Sequence, residues 1–106
     1  MSIERTNIDQ VVSGAVTKEE IREIVSVLSQ YGAEKIYLFG SCATGEAREG
    51  SDIDIAVDGM EAGVFFKAFG EILLRMTKDV DLIDLSEAKR TIRDRIEREG
   101  WVIYEK

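Results

Sequence analysis

The chain has 106 residues, 44% hydrophobic and 33% charged, with a formal net charge of −7. That length suits one domain over residues 1–106 with one core, and the acidic balance argues against tight binding to bare nucleic acid, which usually needs a basic face to displace counterions. There is no histidine and a single cysteine, Cys42, which excludes a Ser-His-Asp triad, a His-Cys zinc site and an internal disulfide.

Any chemistry therefore falls to carboxylates and hydroxyls. No apolar run approaches the ~20 residues of a membrane span, and no signal-peptide pattern opens the chain, so a cytoplasmic protein without membrane contact is expected.

Residues 1–16 are mixed, broken by Gly14, and are expected to be partly irregular. Thr17-Lys18-Glu19-Glu20 reads as a capping box, with Thr17 as N-cap and Glu20 three residues on. Ile21, Ile24, Val25, Leu28 and Tyr31 follow at helical spacing, and Gly32 stands where a C′ glycine belongs. Lys35 to Phe39 predicts a short strand, closed by Gly40. A helical turn is expected from Ser41, then a loop through Gly50.

Ile53, Ile55 and Val57 alternate with Asp52, Asp54 and Ala56, predicting a second strand that ends at Asp58-Gly59. Val64, Phe65, Ala68, Phe69, Ile72, Leu73 and Met76 form a broad helical stripe that reads as core. Asp79 to Leu85 predicts a third strand with Asp79 and Asp81 on its polar side. Ser86 is expected to cap a last helix carrying Ala88, Ile92 and Ile96, stopped by Gly100, before a closing strand or packed tail over Trp101–Tyr104. The class is α/β (α+β): a small mixed sheet with helices packed on one face and carboxylates left on the other.

Asp52 and Asp54, two apart on a strand, leave the same face about 7 Å apart. Two carboxylates at a strand head repel each other and resist burial, a cost that a bound cation offsets. Asp81 joins them if the second and third strands are neighbours. Hard oxygen ligands of this kind suit magnesium shared with substrate phosphates. Gly40 lets backbone approach a ligand closely, and Ser41 offers a hydroxyl at a helix start, together a phosphate cradle.

Taken singly, a strand-initial Asp-x-Asp is a solvated strand edge and Gly-Ser an ordinary turn. An EF-hand fails because Ala56 stands at a ligand position, and a Walker A loop fails because no Gly-Lys-Ser/Thr follows the glycines. The whole arrangement is specific: strand, Gly40-Ser41, ten residues, Asp52-Ile53-Asp54, then a third acidic strand.

This Gly-Ser-x10-Asp-x-Asp pattern resembles the signature of the DNA polymerase beta-type nucleotidyltransferases. The short length, Phe39-Gly40-Ser41-Cys42-Ala43-Thr44-Gly45-Glu46-Ala47 and the later Val80-Asp81-Leu82-Ile83-Asp84 resemble its minimal nucleotidyltransferase (MNT) branch, over about residues 20–104. The resemblance implies a nucleotidyltransferase fold with Asp52, Asp54 and Asp81 as catalytic and metal-binding carboxylates for two Mg²⁺ ions. It also implies Gly40 and Ser41 as holders of the triphosphate, with ATP as substrate. Many members carry arginine in a Gly-Ser-Arg-Ala-Arg-Gly-like run where this chain has Cys42 and Thr44; Arg48 is a candidate substitute. Cys42 beside a helix start is placed for a lowered thiol pKa, but has no neighbouring histidine or second cysteine to make it catalytic.

The last helix carries Lys89, Arg90, Arg93, Arg95 and Arg98 interleaved with Glu87, Asp94, Glu97 and Glu99. That is either a salt-bridged solvent face or an edge that touches a nucleotide or acidic partner. Little chain remains for an acceptor-binding domain, and MNT proteins pair with a helical HEPN-type toxin as its antitoxin. The resemblance thus implies AMP transfer from ATP to a tyrosine hydroxyl of a cognate HEPN toxin, within a hetero-oligomer. The alternatives are a non-catalytic module that masks the toxin by contact, or nucleotidyl transfer to a small molecule.

Overall fold

A computed structural model describes residues 16–44 and 51–106. The loop through Gly50, Arg48 and nearly all of the N-terminal irregular segment lie outside these residues. The elements are α1 (Lys18–Gln30), β1 (Lys35–Phe39), α2 (Ser41–Thr44), β2 (Ile53–Asp58), α3 (Ala62–Arg75), β3 (Val80–Asp84), α4 (Arg90–Glu99) and β4 (Trp101–Glu105). The strands form one mixed sheet in the order β3-β2-β1-β4. β1 runs antiparallel to both β2 and β4, while β3 lies parallel to β2, the crossover being α3.

Local signals set the ends of α1. Thr17 Oγ1 accepts from the Glu20 N–H, and the Glu20 carboxylate accepts from the Thr17 N–H, closing the capping box. At the other end Gly32, at φ +94°, donates to Ser29 O, and Ala33 donates to Leu28 O. That pair of bonds is a Schellman motif, whose left-handed residue favours glycine.

Side-chain alternation along the strands sorts the core into two layers. On one face Ile36, Leu38, Ile53, Ile55, Val57, Val80 and Leu82 pack against Ile21, Ile24 and Leu28 of α1 and Phe65, Ala68 and Ile72 of α3. On the other, Tyr37, Ala56 and Val102 meet Leu85 and Ile96. The expected covering by helices on one face thus holds for α1 and α3, whereas α4 packs on the carboxylate side. The thin stripe of α4 allows this: Ile96 alone is buried, and one isoleucine needs only a small apolar patch of sheet.

Two expected details differ. Ser86 does not cap α4, because its N–H and hydroxyl both donate to Asp84 Oδ1, at 3.0 and 2.7 Å, in an Asx-type turn. The backbone turns through residues 85–88, and Lys89 is the N-cap. Leu73 is half exposed, since Phe65, Ala68 and Ile72 already fill the facing layer. Of the two forms expected for the last segment, the strand is the one present, paired with β1. Among the described residues no helix is long and apolar enough to cross a membrane.

Candidate active site

β1 ends and α2 begins at Gly40, whose φ is +71°. The turn is closed by the Ala43 and Thr44 N–H groups, which both donate to Gly40 O, at 3.0 and 3.2 Å. Beside it on β2, Asp54 pairs with Phe39 in the β1–β2 register. A Cβ built on Gly40 would lie 3.0 Å from Asp54 Cγ and overlap the carboxylate oxygen. The Gly-Ser turn and the strand carboxylate singled out in the sequence are therefore in direct contact.

The third acid comes from the parallel neighbour. Asp54 and Asp81 face each other in the β2–β3 register, and the expected adjacency of the two strands is met. Burial pushes the Asp54 carboxyl up to about 6, helped by the charges of Asp81 and Asp52 and a hydrogen bond with Asp81. Asp52 stands just before the first residue of β2 and is exposed, so it joins the cluster from the strand's mouth rather than from within the ladder. Among the described residues no three side chains are already gathered as a metal cage. The donor chemistry nevertheless fits a hard divalent cation: three carboxylates, one of them half-buried with its pKa raised by burial and by the other two, are relieved by positive charge.

Cys42 takes no part in this chemistry. Its side chain is buried in the main core, and its Sγ lies 3.6 Å from Asp52 O. Burial, with the Asp54 charge, raises the thiol pKa, contrary to the lowering expected beside a helix start. A four-residue helix offers too small a field to offset that burial.

Beside Gly40 a cavity of about 400 Å³ opens between the turn and α4. Gly40, Ser41 and Thr44 line one side; Ile92, Arg95 and Glu99 line the other. Arg95 is one of the basic residues visible in the sequence, but nothing in sequence marked it out from its neighbours. Trp101 gave no signal at all: its indole N–H donates to Ala43 O at 2.9 Å and ties β4 to α2.

This fold, with a Gly-Ser turn on a carboxylate pair, defines a nucleotidyltransferase. The Polymerase beta, Nucleotidyltransferase family pattern matches residues 22–106, and the chain belongs to that family. It is 35% identical over 99 residues to protein adenylyltransferase MntA from Thermococcus cleftensis, spanning 84% of this chain and 96% of that protein. Among solved structures it resembles a chain of a toxin–antitoxin complex with AMP-PNP (TM-score 0.68, 24% identity, 86% of this chain and 75% of that one). It also resembles a chain of the tri-AMPylated Shewanella oneidensis HEPN toxin in complex with its MNT antitoxin (TM-score 0.66, 23% identity, 84% and 72%). These last two likenesses concern the fold.

Proposed function

We propose that the chain is an antitoxin that transfers AMP from ATP to a tyrosine hydroxyl of a cognate HEPN-type toxin. The observation that carries this reading is the contact between Gly40 and Asp54, with Asp81 in register beyond. It joins a phosphate-binding turn to a carboxylate cluster, which is what phosphoryl chemistry without histidine requires. The adenylyltransferase relative supports the reaction, and the fold shared with chains of toxin–antitoxin complexes supports the partner.

In this reading Asp52, Asp54 and Asp81 hold two Mg²⁺ ions, which when bound neutralise phosphate charge. Gly40 and the Ser41 hydroxyl hold the triphosphate over the carboxylates. The tyrosine oxygen forms its bond to the α-phosphorus in line while the bond to the bridging oxygen breaks, the electron pair leaving with pyrophosphate. The hydroxyl proton passes to the Asp81 carboxylate.

The test is incubation of the protein with α-labelled ATP, Mg²⁺ and the helical protein encoded beside it. Label on that partner from the wild type, and none from Asp54→Asn, is expected. Neutralisation of the partner by both proteins without label would instead identify a masking module.

A further inference from the structure

The basic run of α4 divides into two kinds of residue. Arg93 is fully engaged within the fold: Nη2 donates to Asp58 Oδ2 at 2.8 Å, Nη1 to Leu85 O at 3.0 Å and Nε to Glu97 Oε2 at 3.2 Å. Arg95, whose side chain is 74% exposed, meets Glu99 through Nε at 3.3 Å and lines the cavity beside the Gly-Ser turn. A guanidinium brings two further nitrogens with four N–H donors, suited to phosphate oxygens.

Gly40 is the wall shared by the carboxylate cluster and the cavity. It is packed against Asp54 and also lines the space in front of α4. A triphosphate whose α-phosphorus sits at the carboxylates therefore crosses Gly40 and carries its outer phosphates into that space. Those phosphates bear most of the ligand's charge and need a cation. The turn has Cys42 and Thr44 but no basic residue from Gly40 to Thr44. Arg95 is the cation on the facing wall.

We infer that the cavity between Gly40-Ser41 and α4 takes the β and γ phosphates of the nucleoside triphosphate, with the Arg95 guanidinium as their counter-charge. The inference rests on the nucleotidyltransferase reading and deepens it. Glu99, the resting partner of Arg95, competes with the phosphates. On binding, the guanidinium exchanges one carboxylate for phosphate oxygens, so removing the Glu99 charge favours the ligand.

The test is calorimetric binding of a non-hydrolysable ATP analogue and of AMP, each with Mg²⁺, to the whole chain and to two variants. Arg95→Ala is expected to weaken the analogue about ten-fold or more and AMP less than about two-fold, while Glu99→Gln tightens the analogue a few-fold, by about three. Both side chains are mainly exposed, and matching thermal melts check that both variants fold. Unchanged affinity of Arg95→Ala for the analogue overturns the inference but leaves the nucleotidyltransferase reading standing. Equal weakening toward AMP also overturns it, placing the sugar or base at Arg95. No binding of either ligand by the wild type overturns the nucleotide reading itself.

Discussion

Gly40 and Asp54 are packed so closely that the residue after β1 has no room for a side chain: a Cβ there would stand 3.0 Å from Asp54 Cγ. The positive φ of +71° adds a second reason for glycine at this position. Gly40→Ala is expected to cost about 1–2 kcal/mol of stability from backbone strain. AMP transfer should fall by about a hundred-fold, because the displaced carboxylate no longer meets the reacting groups. Gly70 provides the contrast. It lies within α3 with open space around it, so Gly70→Ala should gain about 0.5–1 kcal/mol and leave transfer unchanged. Denaturant titrations and the labelling assay on both variants check the pair.

The raised carboxyl of Asp54 makes stability depend on pH in a defined direction. Its pKa is about 6 in the folded chain against an ordinary 3.8, so between these values the folded state holds a proton that the unfolded state has lost. The stabilisation is fully present below pH 3.8 and disappears as pH rises through about 6. At pH 7 the ionised cluster works against folding. Asp54→Asn should therefore be more stable than wild type at neutral pH, by about 1 kcal/mol once solvent screening of this half-exposed group is allowed for. The advantage should shrink toward pH 5, where the wild-type carboxyl is already largely neutral. Urea titrations of both proteins without metal at pH 5 and pH 7.5 measure it, and a gap that does not change with pH would contradict the cluster's geometry.

What was legible in the sequence is what short-range chemistry determines. Thr17 and Glu20 cap each other within one turn, Gly32 ends the helix it follows, and the alternation of Ile53, Ile55 and Val57 fixes which way Asp54 points. The Gly-Ser-x10-Asp-x-Asp spacing was equally plain, and the register Asp54↔Asp81 explains how a residue twenty-seven positions on joins it. The rest depends on partners distant in the chain. Ser86 and Asp84 satisfy each other locally and so forgo the helix cap. Leu73 belongs to a helical stripe wider than the layer that receives it, and the thiol of Cys42 depends on which core closes over it. The side of the sheet on which α4 would land is not written in its own residues, because its single buried side chain, Ile96, fits a small apolar patch on either face.

Arg93 shows the same dependence with an energetic consequence. From α4 it holds the end of β2 through Asp58 and the turn after β3 through the Leu85 carbonyl. The sequence gives Arg93 and Arg95 the same appearance, two residues apart on one helix. Arg93→Met, which keeps most of the apolar stem, should lose about 1–2 kcal/mol through the missing charge-assisted bonds. Arg95→Ala should stay within about 0.5 kcal/mol of wild type, as mainly exposed positions do. Equilibrium unfolding of the two variants in parallel checks this division of labour within α4.

Trp101 sets the position of the Gly-Ser turn from the far side. Gly100 makes this possible: a Cβ there would meet Ile96 O at 2.7 Å and Leu38 O at 3.3 Å, so glycine lets β4 begin directly at the end of α4 and alongside β1. Trp101 pairs with Leu38 in that register, and its indole reaches across to donate to Ala43 O at 2.9 Å. A helix of four residues cannot hold itself in place, so this tether and the buried Cys42 locate α2 and with it Ser41. Trp101→Phe keeps an aromatic ring but removes the donor, and should cost about 1 kcal/mol. Transfer kinetics should show KM for ATP raised about three- to ten-fold with kcat changed less, because the turn loosens while Asp54 and Asp81 remain braced by the β2–β3 ladder. Trp101 is also the only tryptophan of the chain, so its emission should change when the ATP analogue binds beside α2. Loss of kcat with KM unchanged in Trp101→Phe would show that the tether braces the carboxylates rather than the turn.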